Sequence, residues 1–268
     1  MNCQNTALLC DPWTHEALEF VPCQDASGHA GQCLVNPRSG KRFPIRDGIP
    51  IFCDSEDLVG RNRQFRKLYD RVAVFYDVQS PIYAFLSHQN LFELRRRFLA
   101  EIGVQPGDRV LEVSVGTGFN LQLMPKGIEF YGLDLSWGML QKCRRNLHRW
   151  KREACLFCGE AENLPFRDDS FHVVFQLGGL NFFNDKAKAI AEMIRVAKAG
   201  TKLLISDENE KQVREMYSKI PVLGRRLWRH AEAVGPPLHL IPPEMIDPVL
   251  RDHAEGRFYT LTFRKPDL

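Results

Sequence analysis

The segment richest in chemistry is Leu111-Glu112-Val113-Ser114-Val115-Gly116-Thr117-Gly118-Phe119-Asn120, where an apolar run enters a turn with two glycines. Glycine allows a sharp bend and lets a ligand approach the backbone without meeting a Cβ. Alone, Gly-x-Gly is a weak signal, because most such pairs are only tight turns. Here a second apolar run ends in Gly132-Leu133-Asp134-Leu135-Ser136, with its acid sixteen residues beyond Gly118. A carboxylate at the carboxyl end of a second strand can accept hydrogen bonds from both hydroxyls of a ribose. The bland alternative for Asp134 is a helix N-cap. A dinucleotide fingerprint wants a third glycine where this chain has Leu121, and no second mononucleotide-binding half follows.

These residues need elements to position them. Short apolar runs at 109–113, 129–133, 154–158, 171–175 and 202–206 read as strands. Helical stretches lie between them, including 139–151 and 185–198, with one more expected directly after Gly118. Residues 257–263 alternate well enough to be a further strand. Such alternation argues an α/β fold with a mainly parallel sheet covered by helices on both faces. Upstream, 63–99 is helical in pattern, broken by Pro81. Residues 1–53 have no helical period, and 8–9, 18–21, 32–35 and 49–52 read as short strands between turns.

Composition agrees with a packed protein. The 268 residues are 44% hydrophobic and 26% charged, which excludes a mainly disordered chain. The net charge of +3 is too mild to argue for nucleic acid or membrane. No apolar run reaches the roughly 20 residues a membrane helix requires, and the N-terminus does not read as a secretion signal. The expectation is a soluble cytoplasmic protein. Of the eight cysteines, only Cys155 and Cys158 are in C-x-x-C spacing. On a strand their side chains face opposite ways, so reduced, mostly buried thiols are expected. Oligomeric state is not legible.

Residues 109–206 resemble a class I S-adenosylmethionine-dependent methyltransferase. The family's first motif, E/D-x-G-x-G-x-G, is matched by Glu112, Gly116 and Gly118, with Ser114 in place of the first glycine. Gly159-Glu160-Ala161-Glu162-Asn163-Leu164-Pro165-Phe166, then Asp168-Asp169-Ser170-Phe171, resembles its G-D-A-E-x-L-P-F…D-x-S-F-D signature. The helix and turn from Ala191 to Thr201 resemble E-x-x-R-V-L-K-P-G-G, with Ala199 and Thr201 as departures. The resemblance implies a doubly wound Rossmann-like sheet with an antiparallel last strand. It implies S-adenosylmethionine as cofactor, S-adenosylhomocysteine as product, and contacts from Tyr69, Glu112, Gly116, Gly118, Asp134, Leu135, Glu160, Ala161 and Gln176. Glu112 would hold the methionine amino group, and Glu160 and Ala161 would lie against adenine. Glu162 is either part of that signature or a solvated loop charge.

There is no N/D-P-P-Y tetrapeptide. The chain is similar instead to the branch with quinone C-methyltransferases and many small-molecule methyltransferases, which often carries an element like Tyr69-Asp70-Arg71-Val72-Ala73-Val74-Phe75-Tyr76-Asp77. In that branch 63–100 would form a helical lid and 207–248 a substrate cap. The N-terminal stretch resembles the Trm112-like zinc-ribbon family, laid out as a domain over 1–53 with a linker at 54–62. The family's four cysteine positions fall on Asp11, Thr14, Asn36 and Ser39. A structural zinc site needs thiolate or imidazole, so no metal is expected.

Methyl transfer from a sulfonium is an in-line displacement, and a base is needed only where the nucleophile must lose a proton. Tyr69, Tyr76, His88, Asn181, Glu208 and His239 are the candidates near the expected site, and no spacing singles one out. The apolar composition of 207–248 favours a hydrophobic or aromatic acceptor. Arg95-Arg96-Arg97, the Arg144–Arg152 run and Arg225-Arg226…Arg229 are either solvated faces or phosphate contacts. Two alternatives therefore stand beside a small-molecule enzyme. One is an rRNA or tRNA base methyltransferase, and the other is a catalytically silent S-adenosylmethionine-binding protein.

Overall fold

A computed structural model describes residues 6–24, 30–53, 60, 62, 63, 66, 91–218 and 234–267. Strands β1 (Glu19–Gln24), β2 (Ala30–Val35), β3 (Arg42–Arg46) and β4 (Ile49–Pro50) pair antiparallel in sequential order. The second sheet holds β5 (Arg109–Val113), β6 (Glu129–Asp134), β7 (Cys155–Cys158), β8 (Val173–Leu177), β9 (Lys202–Glu208), β10 (Ile246–His253) and β11 (Phe258–Arg264). Its order is β10-β11-β9-β8-β5-β6-β7, with β5 to β9 parallel and β11 antiparallel to both neighbours. The described helices are α1 (Leu91–Ala100), α2 (Trp137–Trp150), α3 (Lys186–Val196) and α4 (Glu210–Ser218). The order reverses between β5 and β8, and in open α/β sheets ligands bind outside the carboxyl ends of the strands at such a switch point.

The parallel strands are buried on both faces, and their residues alternate between two cores. Leu111, Val113, Leu133, Phe157 and Ile205 face one core, shared with α3 and the N-terminal sheet. Val110, Phe130, Leu156, Phe175 and Leu204 face the other, beneath α1 and α2. Cys155 and Cys158 accordingly fall on opposite faces. Six described cysteines are free, but Cys155 is disulfide-bonded, contrary to the expectation of reduced thiols throughout.

The N-terminal sheet is docked onto the larger one. The Phe52 N–H donates to the Cys158 carbonyl at 2.7 Å, and Ile51 forms a parallel bridge with Cys158. Cys10 N–H donates to Pro165 O (3.1 Å) and Arg167 N–H to Leu8 O (2.9 Å). Phe43, Phe52, Leu34 and Leu18 lie in the same core as Phe157 and Phe166. The edge of β7 is thus covered within the chain, which removes an open template for pairing.

Two knuckle-like turns, 11–14 and 36–39, are held together by side chains where the ribbon family has cysteines. Asn36 Nδ2 donates to Asp11 Oδ2 (2.9 Å), Thr14 Oγ1 (3.1 Å) and Glu16 Oε2 (3.0 Å). Asn36 Oδ1 accepts from the Arg38 and Ser39 N–H groups, and Asp11 Oδ1 from those of Trp13 and Thr14. Asn36 and Asp11 are both buried. Among the described residues no group of three or more His, Cys, Asp or Glu is arranged to hold a metal ion. Asn36→Ala would leave the Asp11 carboxylate buried without its cross-link, at a cost of about 2–4 kcal/mol. Hydrogen exchange at the amides of 11–16 and 36–41 should accelerate in that variant, while EDTA leaves the unmodified protein's exchange and melting unchanged.

Several expectations shift. Leu8 and Leu9 are not a strand pair, since Thr6–Leu8 is a 3-10 turn and Leu9 makes one isolated bridge to Phe166. The helix expected after Gly118 is only a 3-10 turn, Phe119–Leu123, because Pro125 forces Met124 into extended backbone (ψ 153°). The expected strand over 171–175 runs instead as β8, and Phe171 bridges Ala197. Residues 42–46, unassigned from sequence, form β3. The expected cap at 207–248 holds the end of β9, α4, a 3-10 turn at Leu238–Leu240 and the start of β10, with 219–233 outside the described residues. Strand β10 gave no alternating signal because it is an edge strand, exposed along nearly its whole length, with Pro248 and an irregularity near its start. Residues 54–59 and 61 of the expected linker lie outside the described residues, as does most of 63–90.

Candidate active site

The carboxyl ends of β5, β6, β8 and β9 open onto a cavity of about 440 Å³, within the range of small-molecule sites. Its floor is the turn after β5. Ser114, Gly116 and Gly118 all have left-handed backbone, with φ of 64°, 53° and 77°. That conformation explains why the family has glycine at the position held here by Ser114, a residue that tolerates it at a cost of roughly 1–2 kcal/mol. A Cβ on Gly118 would come 2.6 Å from Cys143 Sγ of α2, whereas a Cβ on Gly116 would meet nothing within 4 Å. Gly118 serves packing, and Gly116 leaves space at the cavity floor.

Asp134 ends β6 and splints this turn. Its Oδ2 accepts from the Gly116 N–H at 2.8 Å and its Oδ1 from the Ser136 N–H at 2.9 Å. Ser136, not Asp134, caps α2, accepting from Met139 N at 3.2 Å. The N-cap alternative for Asp134 is therefore excluded. Asp134, Leu135 and Ser114 line both the main cavity and a smaller recess beside it, which Glu160 and Ala161 complete. Asn62 bridges the two regions, donating to Glu160 Oε1 at 2.8 Å and to Glu162 Oε2 at 3.3 Å. Glu162 is buried rather than solvated, and its Oε1 accepts from the Asn184 and Asp185 N–H groups. Burial pushes its carboxyl above the usual range.

Glu112 is wholly buried at the end of β5. Burial lifts its carboxyl to about 8, against the lowering effects of the Asn120 hydrogen bond and the Arg95 charge. Asn120 Nδ2 donates to Oε1, and Arg95 Nη1 in turn donates to Asn120 Oδ1 at 3.0 Å. Oε2 is buried with no hydrogen-bond partner. A buried carboxylate oxygen with an unused acceptor lone pair at a cavity floor suits a cationic donor on a ligand.

On the far side, Gln176 is fully buried and does not line the cavity. With its carbonyl toward the loop, Gln176 accepts from the N–H groups of Gly178, Gly179 and Leu180 at 2.8–3.1 Å. Asp207 Oδ2 holds the same loop through Gly179 N (3.1 Å) and Asn181 N (2.9 Å). Beside it Glu208 lines the cavity, and burial together with the Asp207 charge raises its carboxyl to about 7. His239 is exposed in the Leu238–Leu240 turn and does not line the cavity. Tyr69, Tyr76 and His88 lie outside the described residues.

Sequence reasoning missed Arg95, Asn120, Asn62 and Asp207. Arg95 belongs to the basic run Arg95-Arg96-Arg97, yet it shares a helical face with Leu91, Leu94 and Phe98, all on the cavity wall. Arg96 and Arg97 point outward to Glu93. Arg144 pairs with Asp47, and Arg152 donates to the Met124 and Pro125 carbonyls. Much of the basic pattern is thus spent on structural contacts.

Comparison with known proteins agrees with this geometry. Residues 111–205 match the family described as Methyltransferase domain. A demethylmenaquinone methyltransferase of Renibacterium salmoninarum is 36% identical over 141 residues, covering 52% of this chain and 56% of that protein. The chain therefore spans about half the length of that relative. A malonyl-[acyl-carrier protein] O-methyltransferase of Halorhodospira halophila is 28% identical over 209 residues, covering 76% of this chain and 67% of that one. A solved S-adenosylmethionine-dependent methyltransferase from Thermotoga maritima shares the fold at a TM-score of 0.54 and 22% identity, covering 72% of this chain and 97% of its own. The glycine turn at the floor of the switch-point cavity thus lies in the segment, residues 111–205, that matches the methyltransferase-domain family.

Proposed function

We propose that the protein transfers a methyl group from S-adenosylmethionine to a small hydrophobic or aromatic acceptor, releasing S-adenosylhomocysteine. The observation that carries this reading is the buried, unpartnered Oε2 of Glu112 beside the open space over Gly116. When bound, S-adenosylmethionine supplies a sulfonium-activated methyl group. The chain's own residues fit it from end to end. Glu112 would take its ammonium, the Gly116 backbone would run beside its methionine part, and Asp134 would accept from the ribose hydroxyls. Glu160 and Ala161 would flank adenine. Leu91, Leu94, Phe98 and Phe258 supply an apolar wall that excludes water and suits an apolar acceptor. One curated relative is named for demethylmenaquinone, which supports this class of acceptor, while the other is named for malonyl-[acyl-carrier protein].

The docked N-terminal sheet is part of the proposal as a metal-free ribbon module over 1–53, joined through 54–62 to the methyltransferase unit of 63–268. A cytoplasmic setting is proposed as well, supported by six free thiols against one disulfide-bonded cysteine. Among the described residues no helix is long and apolar enough to cross a membrane. Radiolabelled methyl transfer into a small-molecule extract, run beside total RNA, tests the acceptor class. Label in the extract is expected, and label in RNA alone would overturn it.

A pH dependence follows from Glu112. At pH 7 its raised carboxyl is largely protonated in the free protein, and an ammonium beside it would lower its pKa. Binding should therefore release a proton and tighten as pH rises from 6 toward 8. Calorimetry in buffers of differing ionisation enthalpy reads this directly, and proton uptake would contradict it.

A further inference from the structure

The Glu208 side chain makes no hydrogen bond or ion pair to any described residue, although its backbone is held firmly. Its N–H donates to Asp207 Oδ1 (2.8 Å), and its carbonyl accepts from Asn181 Nδ2 (3.1 Å). Cross-strand it is paired with Phe258 of β11. The backbone is thus fixed on both sides, while the carboxyl has no hydrogen bond to any described residue. Asp207, its neighbour, spends both oxygens on backbone N–H groups of Gly179, Asn181 and Glu208. Of the two adjacent acids, one is committed to the loop and the other is available to the cavity.

The surroundings of Glu208 are mixed in charge. Arg95 of α1 favours its ionised form, and Asp207 opposes it. Arg66, Glu112 and Asp134 lie on other walls of the same cavity. From α4, Glu210 and Arg214 pair with each other at the surface, and Glu215 pairs with Arg257. The rest of the cavity lining is mixed, with Leu91, Leu94, Phe98, Phe119 and Phe182 apolar and Asn62, Ser114, Thr117, Asn120, Ser136 and Ser206 polar. A desolvated carboxyl on a cavity wall, titrating near neutral pH and with no hydrogen-bond partner of its own, has the properties of a general base matched to working pH.

We propose that Glu208 is the general base of this site and that the acceptor is a phenol or hydroquinone whose hydroxyl it deprotonates. The inference rests on the methyltransferase reading above. The Glu208 carboxylate takes the hydroxyl proton, and the electron pair so freed forms the bond to the methyl carbon, either from oxygen or from a ring carbon whose own hydrogen then moves as a proton to the oxygen to restore the aromatic ring. The carbon–sulfur bond breaks with its pair remaining on sulfur, which becomes a neutral thioether. The proton on Glu208 then passes to solvent, and no redox partner is needed. The apolar side chains of Leu91, Leu94, Phe98, Phe119 and Phe182 in the same cavity suit the faces of an aromatic ring whose hydroxyl meets a carboxyl.

The test uses the full chain, tritiated S-adenosylmethionine and 1,4-naphthohydroquinone kept reduced under nitrogen, between pH 5.5 and 8.5. The unmodified protein should show kcat/KM rising through a limb near pH 7 and levelling above it. Glu208→Gln should lower kcat about 100-fold or more and abolish that limb, with S-adenosylmethionine affinity unchanged within twofold by calorimetry and no loss of melting temperature. Glu208→Asp should recover part of the rate. A Glu208→Gln rate equal to that of the unmodified protein would overturn the base assignment. Cofactor binding without transfer to the hydroquinone would overturn the acceptor class. Failure of the unmodified protein to bind S-adenosylmethionine would overturn the underlying methyltransferase reading instead.

Discussion

Asp134→Ala should weaken S-adenosylmethionine binding by at least about 100-fold. Two effects act together. The carboxylate would accept from two ribose hydroxyls, and hydrogen bonds to a charged group contribute roughly 1.5–3 kcal/mol each. The same oxygens hold the Gly116 and Ser136 N–H groups at 2.8 and 2.9 Å, so the variant also frees the turn that forms the cavity floor. Asp134→Asn keeps one acceptor and loses the charge, and an intermediate loss of about 10-fold is expected. Titration calorimetry on the three proteins gives the order. Equal affinity for the alanine variant and the unmodified protein would show that the ribose does not lie at β6.

Gly116→Ala and Gly118→Ala should fail in different ways. Both positions are left-handed, at φ 53° and 77°, so each substitution carries about 1–2 kcal/mol of backbone strain. At Gly118 the new Cβ also meets Cys143 Sγ at 2.6 Å, a contact in the core beneath α2. Overpacking of that kind adds about 1–3 kcal/mol, so the unfolding free energy should fall by about 2–5 kcal/mol. At Gly116 nothing lies within 4 Å, and stability should fall only by the strain. The new methyl would instead occupy the space through which the ligand reaches the backbone, and affinity should drop about 100-fold, as for other lost close approaches worth nearly 3 kcal/mol. Urea denaturation paired with calorimetry separates the two. Unchanged affinity in a stable Gly116→Ala protein would place the cofactor elsewhere.

The parts of this site legible in the sequence are those fixed by local backbone need. Gly116 and Gly118 were readable because left-handed turns at a strand end select glycine, and Asp134 because it closes the next apolar run at a fixed distance. The parallel sheet was readable because strands buried on both faces give continuous apolar runs. What escaped detection depends on tertiary contact. Asn120 looks like any polar residue after a turn until it is seen against the buried Glu112, and Arg95 looks like one of three surface arginines until α1 is docked. Asp207 and Glu208 are adjacent acids of the same type, yet β9 and the loop at 178–181 give one a structural task and leave the other to the cavity. Edge strand β10 lacked a signal because its residues are exposed along nearly its whole length, so no alternation was imposed.

The ribbon positions teach the same point from the other side. Asp11, Thr14, Asn36 and Ser39 read from the sequence as ligands lost. In the fold, Asp11 and Asn36 supply a cross-link of their own, with the amide of Asn36 donating to three oxygens across the two turns. The bonds between these two turns could not be read from the sequence, since they join residues 20 to 25 positions apart.

The central claim is that the cavity at the ends of β5 and β6 holds S-adenosylmethionine. Titrating S-adenosylmethionine into the 268-residue chain by calorimetry, with Asp134→Ala as the paired variant, tests it most directly. The account predicts saturable one-to-one binding by the unmodified protein, lost in the variant. Absence of binding by the unmodified, folded protein would contradict it.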